Sequence, residues 1–371
     1  MNEILQNSEL RIIFSFFISL GMILYLIPKV VQIAIAKGLV DKPNGRTVHQ
    51  GNIPNLGGLA LLTSIVVTSL LFWNMSLIDK VQYRLVGIII IFLVGFKDDI
   101  LVISHRKKFY GEIIASLVVI ILGDVRLTNL HGFLGVTNIP YLFSIGLSLF
   151  VFILIINSFN LIDGIDGLSA GIGIVISLTF GIWFYLVGKY ELVIIAAAMI
   201  GSLISFFYFN VYGTKNKIFM GDSGALLIGF LIAIFAIRFN ELNLNNAAPY
   251  YINNAPIVSI GILAIPLFDT ARVMFLRFLR KQSPFKPDRR HMHHMLLDLK
   301  LTHFQATATL VIASVFIIVT MLLLQQIIQN ILILGGILLV LVLGLSYIPY
   351  AMLNQRKKET KDYGFRYYSL D

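Results

Sequence analysis

The feature that most constrains this chain is a pair of apolar runs closing on one polar segment. "LFSIGLSLFVFILII" (142–156) leads into "NSFNLIDGIDGLSAG" (157–171), and "IGIVISLTFGIWFYLV" (172–187) follows. Runs of this kind approach the roughly 20 residues that a helix needs to cross a bilayer core, and they recur along the whole chain. Mean hydropathy is +0.85, 57% of residues are hydrophobic and 13% are charged. Soluble domains carry about a quarter charged residues. The expectation is an all-α polytopic membrane protein with eleven spans, near 11–36, 57–75, 83–97, 108–123, 141–157, 168–188, 191–209, 224–238, 257–279, 305–326 and 331–350. Residues 1–350 form one integral membrane domain, and 351–371 a basic tail. The first span lacks a small-residue cleavage site and is followed by others, so it is expected to stay as a helix. With no cysteine, disulfides and thiolate metal sites are excluded.

The net charge is +10. In a soluble protein that excess would suggest nucleic acid. Here it is segregated, which reads as topology, with Lys and Arg marking the cytoplasmic side, and nucleic acid is not an expected partner. One set of connections holds Lys37, Lys42 and Arg46; Lys97, Arg106, Lys107 and Lys108; Lys215 and Lys217; Arg280, Lys281, Lys286, Arg289, Arg290 and Lys300; and the basic tail. The N-terminus is therefore expected outside and the C-terminus inside, which an odd span count satisfies. The polar motifs fall in the same connections: "DKPNGRTVHQGNIPNLGG" (41–58), "GFKDDI" (95–100), "NSFNLIDGIDGLSAG", "KIFMGDSGALLIG" (217–229) and "SPFKPDRRHMHHMLLD" (283–298). A scaffold needs no such one-sidedness. A reaction on cytosolic substrates does.

Each motif has a chemistry and a plainer alternative. Asp98-Asp99 is an adjacent carboxylate pair that burial makes costly and a cation makes tolerable; a solvated acidic helix end reads the same. Asp163 and Asp166, spaced by three, share a face if the segment is helical. Asn157 and Asn160 add oxygen acceptors at the same spacing, and an oxygen-only set suits Mg²⁺ or Mn²⁺; a polar linker between helices is the alternative. Asp222 stands between glycines just before a span, where free N–H groups favour phosphate. Phe219, three residues earlier, is placed to stack on a base or to sit as an interfacial aromatic. His291, His293 and His294 follow Arg289 and Arg290. With no Glu in an HExxH pattern and no Cys, the arginines argue for a phosphate grip over a zinc site; a basic loop against anionic lipid is the alternative. Together these are the parts phosphoryl transfer needs: metal, cations and positioning.

In this order and combination, from about residue 37 to about residue 300, the five motifs resemble the polyprenyl-phosphate N-acetylhexosamine-1-phosphate transferases, the type-4 glycosyltransferases. "SPFKPDRRHMHH" resembles the bacterial branch that starts O-antigen, enterobacterial common antigen or teichoic acid linkage units, and not the MurNAc-pentapeptide translocase branch. The resemblance implies an active site on the cytoplasmic face of the bacterial inner membrane. It implies undecaprenyl phosphate and a UDP-sugar, UDP-GlcNAc first, as substrates, and Mg²⁺ as cofactor. Asp222 resembles the metal ligand, with Asn160 a second contact. Asp98 and Asp99 resemble the acidic pair beside the lipid phosphate, with Asp98 the candidate base, and Lys108 a phosphate contact. Asp166, Asn210 and Phe219 resemble the nucleoside pocket. Asp163 resembles an active-site carboxylate, with Asn157 nearby on the substrate side. Arg290, His291, His293 and His294 resemble the sugar- and diphosphate-facing loop. Ser223-Gly224-Ala225 departs slightly from the family pattern, and the tail lies outside it.

The implied reaction is attack of a lipid phosphate oxygen on the β-phosphorus, with UMP leaving; a route through a phosphorylated aspartate is the alternative. A phosphate monoester is largely ionised near neutrality, so positioning and cations matter more than a base. UDP-GalNAc or a deoxy-aminosugar fits the same motifs. An ion-coupled transporter would instead place carboxylates at mid-span, where only Asp269 stands, with Arg272 as a partner on its own helix. The CDP-alcohol phosphotransferase signature is absent. A homodimer is compatible with a bundle of this size.

Overall fold

The computed structural model describes residues 7–40, 53–73, 80–279, 281 and 291–367, and backbone alone beyond 356. Among these residues the chain forms thirteen helices and one short hairpin. They are α1 (Ser8–Ala36), α2 (Gly57–Phe72), α3 (Val81–Leu101), and α4 (His105–Leu117) continued by a π-helical turn (Val118–Leu122). The hairpin β1 (Asn129–Phe133) and β2 (Val136–Asn138) is antiparallel. Then come α5 (Tyr141–Ile162), α6 (Leu168–Leu186), α7 (Tyr190–Tyr212), α8 (Gly221–Leu242), α9 (Ala255–Ile262), α10 (Ala264–Leu279), α11 (Met292–Asp298), α12 (His303–Ile327) and α13 (Ile331–Tyr367).

Seven helices (α1, α5, α6, α7, α8, α12 and α13) are long and apolar enough to cross a membrane, and an eighth span results if α9 and α10, bent by 82°, count as one. α2 is a shorter apolar helix of 16 residues. The bend divides the segment expected as one span over 257–279. α13 continues past 350 as helix to Tyr367.

α8 is the axis of the bundle. It is buried all round, from Ser223 to Phe239, which is why its sequence is apolar on every face. α3, α5, α2 and α6 pack around it, while α7 joins α1 to α6. Close approach uses small residues. A Cβ added at Gly95 would fall 2.5 Å from Ser223 Cα, and one at Gly58 2.3 Å from the Gly224 nitrogen. In a membrane, where apolar burial gives helices no preference for each other over lipid, such close packing is what associates them. α1, α12 and α13 leave large aliphatic and aromatic side chains exposed, among them Phe17, Phe316 and Val340. Those faces suit lipid.

The aspartate segment corrects one expectation. α5 runs on through Asn157 and Asn160, so these two do lie at helical spacing. It ends at Asp163, and residues 163–167 form a turn closed by Gly167 at φ 79°. Asp163 and Asp166 therefore share no helical face. Two glycines in five residues favour a turn that a helix would forbid.

Candidate active site

The ends of α3, α5 and α7 and the starts of α4, α6 and α8 meet at one end of the bundle, opposite the hairpin. Lys108, in the first turns of α4, is the hub. Its Nζ lies 2.8 Å from Asp222 Oδ2 and 3.2 Å from Asp98 Oδ2, and donates to Asn160 Oδ1 at 3.4 Å. Asn160 Nδ2 in turn donates to Asp222 Oδ1 at 2.6 Å. Asp98 also accepts the Ile103 N–H at 2.8 Å, fixing the turn between α3 and α4. That turn passes through Val102 at φ 46°, a strained conformation for a β-branched residue.

Asp99 faces the other way. Its Oδ1 accepts the Asp222 N–H at 2.7 Å; its Oδ2 accepts the Ser223 N–H at 3.0 Å and the Ser223 hydroxyl at 2.5 Å. The first orphan amides of α8 are thus capped by a carboxylate from α3. Gly221 makes this possible: its φ is 70°, and a Cβ there would lie 2.8 Å from both Asp99 oxygens. Asp98 meets the Lys108 hub while Asp99 holds the helix that carries Asp222.

The 163–167 turn forms the next layer. Asp166 Oδ2 lies 2.7 Å from Lys217 Nζ and 3.4 Å from His303 Nδ1. Burial works to raise its carboxyl, but the bonds from His303 and Lys217 win and hold it below the usual carboxylate value. Among the described residues the charges acting on Asp163 are all negative: loss of hydration, then repulsion by Asp222, Asp99 and Asp166, pushes it up to about 8. Asn210 stands behind this turn, accepting the Gly167 N–H at 2.6 Å and donating to the Ile218 carbonyl at 2.9 Å. Buried and fully engaged, it ties the turn to the 217–220 segment. Phe219 is half-buried. Its backbone pairs with the 54–58 segment, its N–H to Pro54 O at 2.8 Å and its carbonyl from the Gly57 N–H at 3.0 Å.

The histidines approach from α11. His291 and His293 are buried, their rings parallel with centroids 5.6 Å apart, and His294 lies 4.3 Å beyond His293. A Cβ at Gly164 would fall 2.6 Å from His293 Nε2, so only glycine lets this ring reach the aspartate turn. Burial, then the His294 ring, lowers His293 to about 3, leaving it neutral at physiological pH. Arg290 and the loop before it, like residues 41–52, lie outside the described residues.

Among the described residues no three His, Cys, Asp or Glu side chains converge closely enough to hold a metal unaided. What does converge is Asp222 Oδ2 and Asn160 Oδ1, both on the Lys108 ammonium that also meets Asp98, while Asn160 Nδ2 donates to the other Asp222 oxygen. Hard oxygen donors this few fit a divalent ion that takes its other ligands from phosphate and water.

The description "Glycosyl transferase family 4" fits residues 81–240, the stretch that carries this site from Asp98 to Asp222. A Yersinia pestis protein named undecaprenyl-phosphate alpha-N-acetylglucosaminyl 1-phosphate transferase is 32% identical over 317 residues, 85% of this chain and 83% of its own. Proteins of the same name from Escherichia coli and Salmonella typhi are each 30% identical over 292 residues, 76% of both chains. The chain belongs to this transferase family. It is a multi-pass protein of the bacterial inner membrane and an enzyme of the sugar-phosphate transferase type.

Three residues of this family site escaped the sequence reading. Glu112 is buried on α4 and accepts from Asn157 Nδ2 at 2.6 Å. It lies one turn after Lys108, so the i,i+4 pair was visible, but the basic "HRKK" run masked it. Lys217 looked like a topology marker and is the partner of Asp166. His303 is the first residue of α12, inside the Thr302–Gln305 capping box, and only the fold brings it to Asp166.

Proposed function

We propose that the chain transfers GlcNAc-1-phosphate from UDP-GlcNAc to undecaprenyl phosphate, giving undecaprenyl-diphospho-GlcNAc and UMP. The observation that carries the reading is the Lys108 ammonium joined to Asp98, Asp222 and Asn160 at one end of the bundle. The names of the relatives support the substrates. Segregation of Lys and Arg supports placing this end in the cytoplasm, the N-terminus outside and the C-terminus inside. Counting α2, α3, α4 with its π turn, and the α9–α10 pair as spans supports the total of eleven.

A lipid phosphate oxygen attacks the β-phosphorus of the donor; the bond from that phosphorus to the bridging oxygen breaks, and UMP departs. Asp222 and Asn160 would hold Mg²⁺, with Mn²⁺ as substitute, whose contribution when bound is to neutralise charge on the diphosphate oxygens. Lys108 carries fixed positive charge beside the reacting phosphates, and Asp98 and Asn160 hold its ammonium in place. Asp166, kept ionised, offers an acceptor to a uracil N–H, and Phe219 a ring for the base to stack on. His291, His293 and His294 would serve the sugar and its diphosphate, with Arg290, outside the described residues, as a further candidate contact.

The test is UMP release by purified protein with polyprenyl phosphate and a panel of UDP-sugars. UDP-GlcNAc should give the highest kcat/KM. Preference for UDP-GalNAc or a deoxy-aminosugar would move the assignment within the family. No turnover with any UDP-sugar would remove it.

A further inference from the structure

Asp269 is a buried carboxylate on α10, away from the helix ends that carry the site, and the chemistry above gives it no task. It stands on the buried stripe of α10, with Pro266, Thr270, Val273 and Arg277, just past the 82° bend. Only 3% of it is exposed. Its carboxylate is filled from three sides: Oδ2 by His291 Nδ1 at 2.9 Å, Oδ1 by the Met292 N–H at 2.9 Å and by Arg272 Nη2 at 3.1 Å. Arg272 lies on its own helix. The other two donors, His291 and Met292, stand at the start of α11.

A buried carboxylate that accepts from an imidazole Nδ1 holds the proton on that nitrogen, and in the neutral ring leaves the lone pair on Nε2. It also fixes the ring plane. His291 stacks on His293 at an interplanar angle of 9°, and His293 reaches Gly164 beside Asp163. One contiguous set of side chains therefore runs from Asp269 to the aspartate turn. An ion pair with Arg272 alone would stabilise α10 and ignore the histidines; the two further bonds are directed at the histidine segment.

We propose that Asp269 is a positioning residue for the transfer reaction. It sets the tautomer and ring plane of His291, and through the His291–His293 stack it sets the histidine face that meets the sugar-phosphate donor. The inference rests on the proposed function for the donor-facing role of the histidines, while the tautomer itself is independent of that reading.

The experiment uses the full chain in nanodiscs, with ¹⁵N-histidine labelling and UMP release measured side by side. In the wild type His291 should show a protonated Nδ1. Asp269→Asn, similar in shape, should shift that signal toward the Nε2–H tautomer and lower kcat by about 10- to 100-fold, the range for breaking carboxylate–histidine pairs at metal centres, with KM changing less. Asp269→Glu should recover part of both. In a His291→Ala background, adding Asp269→Asn should cost little more. The proposal is overturned if Asp269→Asn leaves the His291 signal unchanged, if activity and thermal midpoint fall together with fully additive effects in the double variant, or if kcat is unaffected. A wild type that shows the protonated Nδ1 and transfers no sugar phosphate would fault the functional reading and leave the tautomer assignment standing.

Discussion

Asp99 gives the sharpest prediction, because sequence and structure assign it different work. Its resemblance to the family's acidic pair implies contact with the lipid phosphate. In the structure its two oxygens take three donors from the first turn of α8. Losing an N-cap costs about 0.5–2 kcal/mol, and a hydrogen bond to a charged group is worth about 1.5–3 kcal/mol. The freed donors lie at the polar end of the bundle and recover part of this from water, so the three bonds do not sum. We expect Asp99→Ala to destabilise by about 2–3 kcal/mol. Asp99→Asn keeps an acceptor for the Asp222 N–H but turns an NH₂ toward Ser223; with the Ser223 N–H unpaired, about 1–2 kcal/mol is lost. Both variants should also lose activity, because Asp222 rides on the same turn and a displacement near 1 Å can cost about 10²-fold. The assay pairs unfolding midpoints in detergent with UMP release. An Asp99→Asn protein with an unchanged midpoint and activity reduced more than about 10⁴-fold would contradict a capping role and put Asp99 in direct contact with the reacting phosphates, since displacement alone costs about 10²-fold.

Lys108→Met should lower kcat/KM by about 10²–10³-fold, as for loss of one preorganised electrostatic group, and Lys108→Arg should not restore it, because a planar fork cannot replace a point charge meeting three oxygens; UMP release kinetics check both. Glu112→Gln keeps an acceptor for Asn157 and should stay within about threefold of wild-type activity. Glu112→Leu leaves one N–H of that amide unpaired, the other still donating to the Ile153 carbonyl, at a cost of about 1–3 kcal/mol, read as a lower unfolding midpoint. Asp163 supplies a pH prediction. Its carboxyl is raised to about 8 from an ordinary 3.8, so between those values the folded chain binds a proton that the unfolded chain does not, and this contribution to stability falls as pH rises. Asp163→Asn removes that loss. Its unfolding midpoint relative to wild type should be higher at pH 8.5 than at pH 5, and an equal difference at both would refute the raised value.

How much could be read in advance depended on whether a residue's role is local. A carboxylate or amide that interrupts an apolar run at a helix end announces itself, which is why Asp98, Asp99, Asn160 and Asp222 were legible and do converge. Asn157 and Asn160 follow helical spacing because α5 is unbroken there; Asp163 and Asp166 do not, because the chain turns over 163–167, with Gly164 between them and Gly167 closing the turn. Asn210 was expected in a nucleoside pocket, yet both ends of its amide hold backbone, a partnership set by the packing of α7 beside the 163–167 turn. His303 and Glu112 belong to the same class: their types and positions were plain, their partners were not. The bend between α9 and α10 was hidden too, since Pro266 falls in the first turn of α10, where proline fits a helix as well as it marks a break.

The central claim is that this end of the bundle moves a sugar phosphate from a nucleotide to a lipid phosphate. Exchange of labelled UMP into UDP-GlcNAc by purified protein tests it most directly. The account predicts exchange that requires both polyprenyl phosphate and a divalent cation, that EDTA abolishes, that Mg²⁺ or Mn²⁺ restores, and that Asp222→Ala, still folded, has lost. Exchange that proceeds without lipid would replace direct attack with a phospho-enzyme, and exchange undiminished in Asp222→Ala would contradict the site itself.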